Sequence, residues 1–224
     1  MNQRFSWRWL SLGLCACAAA TLHAQAGSFS GGVKVRAGVC VGDVQKDMQA
    51  NKVTGMGLEF GYKLTASTAV FGELAYLNFA STDYWNTLPA AATTATSVDL
   101  RKNRLEGFLV RGGYRSAFGP AGLSWQAGLD IDRFKSRQEV SGQIVVGTTT
   151  EGLAVTPEST KVNIGLFAGL HYDLGDSATL ECNLVSIGYG KVNWVPRSYS
   201  GTTPAAETTS RRGFVCEVAV GFKF

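Results

Sequence analysis

The chain has 224 residues, 45% of them hydrophobic and 17% charged, with 27 Gly against 5 Pro; that is room for one substantial domain, with less charge than the roughly 25% usual in soluble domains. A formal net charge of +4 with no basic stripe excludes the electrostatic footprint of a nucleic-acid binder. Beyond the first two dozen residues no apolar run reaches the ~18 residues of a spanning helix, so any crossing of a membrane must use a closed barrel.

Residues 1–24 have the layout of a secretory signal peptide, with cleavage after residue 24 or 26. Arg4 and Arg8 make the start positive, Trp9 to Thr21 is apolar, and Leu22-His23-Ala24 or Ala24-Gln25-Ala26 supplies a small-residue exit. Residues 27–224 are then left for the barrel. They keep three cysteines (Cys40, Cys182 and Cys216) and one histidine, His171. An odd thiol count argues against a disulfide framework in an exported chain.

Period-2 alternation, which sends successive side chains to opposite faces of a strand, marks eight segments. The first, Val33 to Val41, sets Val33, Val35, Ala37, Val39 and Val41 against Lys34, Arg36, Gly38 and Cys40. The second, Val53 to Lys63, sets Met56, Leu58, Phe60 and Tyr62 against Glu59 and Lys63. In the third, Thr68 to Phe79, Val70, Leu74 and Tyr76 oppose Glu73, although Phe71 and Leu77 fall on the polar side. The fourth, Leu105 to Arg115, opposes Phe108, Val110 and Tyr114 to Arg111 and Arg115. The fifth, Gly122 to Phe134, is the most regular: Leu123, Trp125, Ala127, Leu129 and Ile131 face away from Ser124, Gln126, Asp130 and Asp132. The sixth, Lys161 to Asp173, places Ile164, Leu166 and Leu170 opposite Asn163 and His171. The seventh, Ala178 to Gly190, starts with Leu180, Cys182 and Leu184 against Glu181 and Asn183. Val185, Ile187 and Tyr189 then change face, which predicts a bulge. The eighth, Gly213 to Phe224, opposes Phe214, Cys216, Val218, Val220, Phe222 and Phe224 to Glu217 and Lys223.

Short connections (65–67, 117–121 and 173–177) alternate with long ones (42–52, 80–103, 135–160 and 191–212), as in transmembrane barrels with short periplasmic turns and long outer loops. The expectation is an all-β, eight-stranded antiparallel up-and-down transmembrane β-barrel in the outer membrane with both termini periplasmic. Tyr62, Tyr114, Trp125, Tyr172, Phe222 and Phe224 are expected to form one interfacial aromatic girdle. Gln143 to Val146 and Gly152 to Val155 are too short to cross and predict a hairpin above the membrane.

The final segment, Phe214-Val-Cys-Glu-Val-Ala-Val-Gly-Phe-Lys-Phe224, resembles the closing strand of bacterial outer-membrane proteins. Phe71-Gly-Glu-Leu-Ala-Tyr76 resembles strands of the small opacity, OmpX and OmpA-barrel group. The resemblance covers Ser30 to Phe224. It implies that Val220, Phe222 and Phe224 are the signal read by the barrel-assembly machinery. It also implies contact with outer-membrane lipid and lipopolysaccharide. Ending at the barrel, the chain is expected to lack the peptidoglycan-binding domain of full-length OmpA proteins.

Inward charges are the first functional candidates. Arg36, Glu59, Glu73, Arg111, Asp130, Glu181 and Glu217 predict a structural salt-bridge network, because a barrel of about eight strands is only wide enough for side chains to fill and buried charges persist when paired. First and last strands meet on closure, so Arg36 and Glu217 are expected neighbours. A lone His171 makes neither a metal cluster nor a triad, and no catalytic, metal or cofactor site is expected. Small-barrel enzymes that modify lipid A are the enzyme rivals; the deacylase type has a Ser-His-Glu arrangement facing lipid near the outer rim, whereas Leu170-His171-Tyr172-Asp173 lies on the other face and at the other end. The functions that follow, in order, are a structural or adhesion-like surface role through the outer loops, a narrow gated pore, and a lipid-modifying enzyme. Asp83-Tyr84-Trp85, Ala90 to Thr96, Arg101-Lys102 and Arg211-Arg212 are the loop residues expected to meet a surface ligand or lipopolysaccharide phosphates.

Overall fold

A computed structural model describes residues 27–48, 50–81, 96–118, 122–146, 149–194 and 206–224. The signal peptide read in residues 1–24 lies outside them. Nine strands follow in order among the described residues: β1 (Phe29–Val41), β2 (Ala50–Lys63), β3 (Thr68–Ser81), β4 (Thr96–Ala117), β5 (Leu123–Val146), β6 (Thr149–Val155), β7 (Glu158–Asp173), β8 (Ala178–Trp194) and β9 (Ala206–Lys223). A short helix, α1 (Asp43–Met48), joins β1 to β2.

All pairings are antiparallel, and the sheet closes where β1 meets β9, from Gly32↔Lys223 to Val41↔Phe214. Eight strands form the wall of an up-and-down barrel. The ninth, β6, pairs with the far end of β5, from Val140↔Val155 to Val146↔Thr149, which is the expected hairpin.

The alternation read from the sequence sorts the faces, and with the opposite sense to a soluble core. Val162, Ile164 and Leu166 point outward at 63–65% exposure, while Arg111 and Glu217 point inward at 1%. An apolar outside around a charged inside is stable in lipid, and the barrel is transmembrane. At the end carrying both termini, Phe29 stacks on Tyr62 with ring centroids 4.9 Å apart, and Tyr114 on Trp125 at 5.6 Å. Tyr172 and Phe222 complete this belt on the outward face. Phe224 is half-buried beside it: its ring lies against Gly31, where a Cβ would sit 2.8 Å from Cε2, and its N–H donates to the Gly31 carbonyl at 3.0 Å. Phe29, not expected there, joins the belt. The turns at this end are tight, and Gly175 supplies the positive φ of 77° that one of them needs.

Three expectations are corrected. Among the described residues, strand reaches into the connections read at 80–103, 135–160 and 191–212, since β4, β5, β7, β8 and β9 all continue past the apolar band. The 42–52 connection holds α1. Beyond lipid both faces of a strand can be polar, as with Lys135, Arg137 and Glu139 on one face of β5 and Ser136 and Gln138 on the other, so hydropathy no longer alternates. The predicted bulge in the seventh segment is absent: β8 pairs with β9 in unbroken register from Ala178↔Phe222 to Trp194↔Ala206. Val185, Ile187 and Tyr189 stay on the inward face with Glu181 and Asn183. The lumen itself becomes apolar there.

Gly113 faces inward beneath two aromatic rings. A Cβ on it would sit 2.7 Å from Phe167 Cζ and 2.9 Å from Phe71 Cζ. Overpacking of this kind costs about 1–3 kcal/mol, so Gly113→Val should lower the urea midpoint of the detergent-folded barrel by that equivalent.

Candidate functional site

The lumen has a charged half near the termini and an apolar half toward the opposite rim. Glu59, Glu73, Arg111, Asp130 and Gly165 are successive cross-strand partners, so they form one arc of a ring inside the wall. Two glutamates side by side on neighbouring strands repel. β1 supplies the compensation: Lys34 contacts Glu59 and reaches Glu181 at 2.5 Å, and Arg36 contacts Glu73. Glu217 enters from β9 and takes Arg36 Nη1 at 3.2 Å and Arg111 Nη1 at 2.8 Å. Arg115 bridges Glu59 at 3.2 Å and Glu181 at 3.0 Å. Asp130 stands opposite Arg111 in the strand register.

Two aromatic rings face inward here, that of Phe71, read on the polar side of its strand, and that of Phe167. Arg115 lies 4.6 Å over the Phe71 ring and Arg111 4.4 Å over that of Phe167, so both aromatics serve as cation-facing surfaces in the charged half. Polar uncharged residues complete the network. Gln126 donates to Asn183 Oδ1 at 2.7 Å, and Asn183 donates to Glu217 at 3.2 Å. Their inward placement is readable from alternation, but a search for charges passes over them. His171 contributes to the same cluster through Nδ1, 3.0 Å from Glu181, and Nε2, 3.2 Å from Asp173. Lys223 also contacts Asp173. Both imidazole nitrogens are thus occupied by carboxylates.

Above this cluster the lumen is filled by Leu77, Phe79, Leu105, Leu109, Phe134 and Ile187, each at most 2% exposed. Phe79 and Phe134 meet edge to face at 5.5 Å. Helix α1 tucks into the mouth: Val44 is fully buried, and Asp47 accepts from Tyr189 Oη at 3.0 Å and Lys191 Nζ at 2.7 Å. Asn103 Nδ2 donates to the Asp47 carbonyl at 3.2 Å. Sequence alone treats Asp47 as a loop residue; nothing in the local pattern pairs it with a strand more than a hundred residues away.

At the rim opposite the termini, Arg133, Arg211 and Arg212 are exposed. Beyond it, β4, β5 and β6 stand side by side as a three-stranded sheet. Arg104 bridges Glu139 at 3.2 Å, and Lys135 bridges Glu158 at 2.6 Å. Asp83-Tyr84-Trp85 and Ala90 to Ala95 lie outside the described residues, as does the Arg101 side chain. Of the residues expected to form an assembly signal, Val220 and Phe222 face outward and Phe224 closes against Gly31. Cys40 is buried in the lumen, while Cys182 and Cys216 face outward, all as free thiols. The outward pair is diagonal, with Cys182 opposite Val218 and Leu184 opposite Cys216.

A closed eight-stranded barrel with an apolar belt, a filled interior and strands running past the belt defines the class of small transmembrane barrels. No protein-family model matches the sequence, and no curated protein matches it. Among solved structures, a major outer membrane protein of Thermus thermophilus superposes with a TM-score of 0.52 at 9% identity, over 88% of this chain and 100% of that one. Ail, the attachment invasion locus protein of Yersinia pestis, gives 0.48 at 10% identity, over 89% of this chain and 100% of its own. OprG of Pseudomonas aeruginosa gives 0.44 at 13%, over 89% and 97%. At these identities the likeness is one of fold.

Removing one partner of a buried ion pair leaves an uncompensated charge and costs about 3–5 kcal/mol. Glu217→Gln strips the carboxylate shared by Arg36 and Arg111, and should lose that much in equilibrium unfolding.

Where β7 begins beside β5, hydrogen bonds from Lys135 and then Arg137 hold the Glu158 carboxyl below the usual carboxylate range. A depressed folded pKa means that the contribution is present above the unfolded value and is lost as pH falls through the folded one. Amide exchange in β5 residues 135–139 should therefore accelerate as pH drops through the Glu158 titration, after correction for intrinsic exchange. Glu158→Gln should remove that step.

Proposed function

We propose that this chain is an outer-membrane barrel with a structural and surface-interactive role, exercised by its outer loops and by the projecting β4–β5–β6 sheet. The observation that carries this reading is a barrel blocked along its axis whose wall strands nevertheless continue past the apolar band. A conducting protein needs an open lumen. Here the charged cluster, the apolar packing and α1 succeed one another along the axis, and what remains accessible is the outer surface. Both termini face the periplasm on this reading, after removal of residues 1–24 or 1–26. The exposed Arg133, Arg211 and Arg212 suit contact with lipopolysaccharide phosphates, and the closing strand ending at Phe224 suits delivery by the barrel-assembly machinery.

The hairpin base offers a clean excision point, because the Gln138 N–H donates to the Pro157 carbonyl at 3.1 Å. Replacing residues 139–156 by a two-residue turn should leave heat-modifiable gel migration intact while lowering attachment of expressing cells to host-cell or matrix surfaces. Planar-bilayer recordings should show no channel steps from the parent chain. Unitary steps from it would instead support the narrow pore.

A further inference from the structure

The barrel wall is not paired to the same height all round. β7 and β8 share a ladder from Phe167↔Val185 down to Asp173↔Thr179. Above Phe167, β7 continues to Glu158 paired with β5 on its other side, and β8 continues to Trp194 paired with β9. Among the described residues no ladder joins the two across this upper half. The unpaired stretch lies partly at the level of Val162, Ile164 and Leu166, within the apolar band.

Side-chain contacts show how the gap is covered. Asn163 packs on Gly188, and a Cβ on Gly190 would sit 2.5 Å from Ser159 Oγ. Asn163 and Ser159 alternate with the exposed Val162 and Ile164, so they belong to the inner face of β7. Asp132, inward on β5, accepts from the Gly188 N–H at 2.9 Å and from Asn163 Nδ2 at 3.2 Å. Ile187, Gly188, Tyr189 and Gly190 are all buried, on both faces of the strand. Upper β8 therefore runs along the lumen side of β7, lapped under it rather than joined edge to edge. Gly188 and Gly190 permit the close approach, and the Asp132 carboxylate takes the place of a strand carbonyl for the Gly188 N–H.

Behind this lap lies the apolar half of the lumen, lined by Phe79, Leu105, Leu109, Phe134 and Ile187. Interiors of such barrels are ordinarily polar, and an apolar filling requires no lateral access. Here the apolar compartment and the unladdered stretch of wall coincide, at membrane level. We propose that the β7–β8 lap is a lateral entrance, and that the apolar half-lumen accepts a single acyl chain from the surrounding membrane when β8 draws back, with Asp132 as the latch. The membrane is the only medium that the lap faces at the height of Ile164, and this fixes the ligand as membrane-borne. The inference shares the transmembrane fold with the surface role proposed above but not that role, and either can fail without the other.

The test is photolabelling of the full mature barrel in lipid nanodiscs, with a diazirine placed mid-chain on a fatty acid and, separately, on a phospholipid. Mass spectrometry should find label on inward Phe79, Leu109, Phe134 or Ile187 in addition to outward Val162, Ile164 and Leu166. Label from the fatty acid alone assigns a free amphiphile as the ligand; label from both assigns a lipid chain. Asp132→Ala should raise inward labelling several-fold. In a background carrying Cys40→Ala, Cys182→Ala and Cys216→Ala, the pair Ser159→Cys and Gly190→Cys should oxidise readily, since the two Cβ positions lie 3.1 Å apart against about 3.8 Å in disulfides. Oxidation should abolish inward labelling and reduction should restore it, with gel migration verifying a folded barrel in both states. Label confined to outward residues in the parent, inward label that survives the crosslink, or a pair that will not oxidise would each overturn the proposal.

Discussion

Lipid offers no hydrogen-bond partner, so the backbone of this chain must satisfy itself within the wall. Closure of β1 on β9 meets that demand, and much else follows from it. It brings Arg36 beside Glu217 across the ends of the sequence. It also fixes a narrow interior whose charged residues must compensate one another. Where the ladder between β7 and β8 stops, the same demand reappears in side-chain form, with the Asp132 carboxylate serving a backbone N–H. The polar interior and the backbone ladder are one accounting, kept partly by main chain and partly by side chains.

The two halves of the lumen solve the filling problem differently. In the half near the termini, four basic side chains (Lys34, Arg36, Arg111 and Arg115) interleave with Glu59, Glu73, Glu181 and Glu217, and Phe71 and Phe167 offer ring faces to cations. In the other half, aliphatic and aromatic packing dominates, and α1 seals it through Val44. Charged clusters demand specific partners, while apolar packing tolerates rearrangement. The more adaptable half is the one beside the incomplete ladder.

How much of this is legible in the sequence depends on where lipid enforces a contrast between faces. Within the apolar band, alternation places Lys34, Arg36, Glu73, Arg111, Asp130, Asp132 and Glu217 inward and their neighbours outward. The eight-stranded closed barrel follows from that count. Above the band the contrast disappears, and with it the signal for the outer lengths of β4, β5 and β9. The apolar inward run Val185, Ile187 and Tyr189 misleads in the opposite way: it reads as a change of face, when the chemistry of the interior changes instead. Contacts made by single residues across long sequence separations, such as Asp47 with Lys191 or Asn163 with Gly188, have no local pattern and need the fold.

The three thiols carry a consequence for how the chain must mature. On the proposed route through an oxidising compartment, the unfolded chain exposes Cys40, Cys182 and Cys216 together, and nothing in its sequence prevents wrong pairing. Insertion separates them: Cys40 is enclosed in the lumen, and the other two enter lipid, where a thiolate is poorly solvated and reacts slowly. The finished barrel thus shelters its own thiols, and the vulnerable interval is the transit before β9 closes the wall. Speed of assembly, rather than any reductant, would keep this protein in its reduced form.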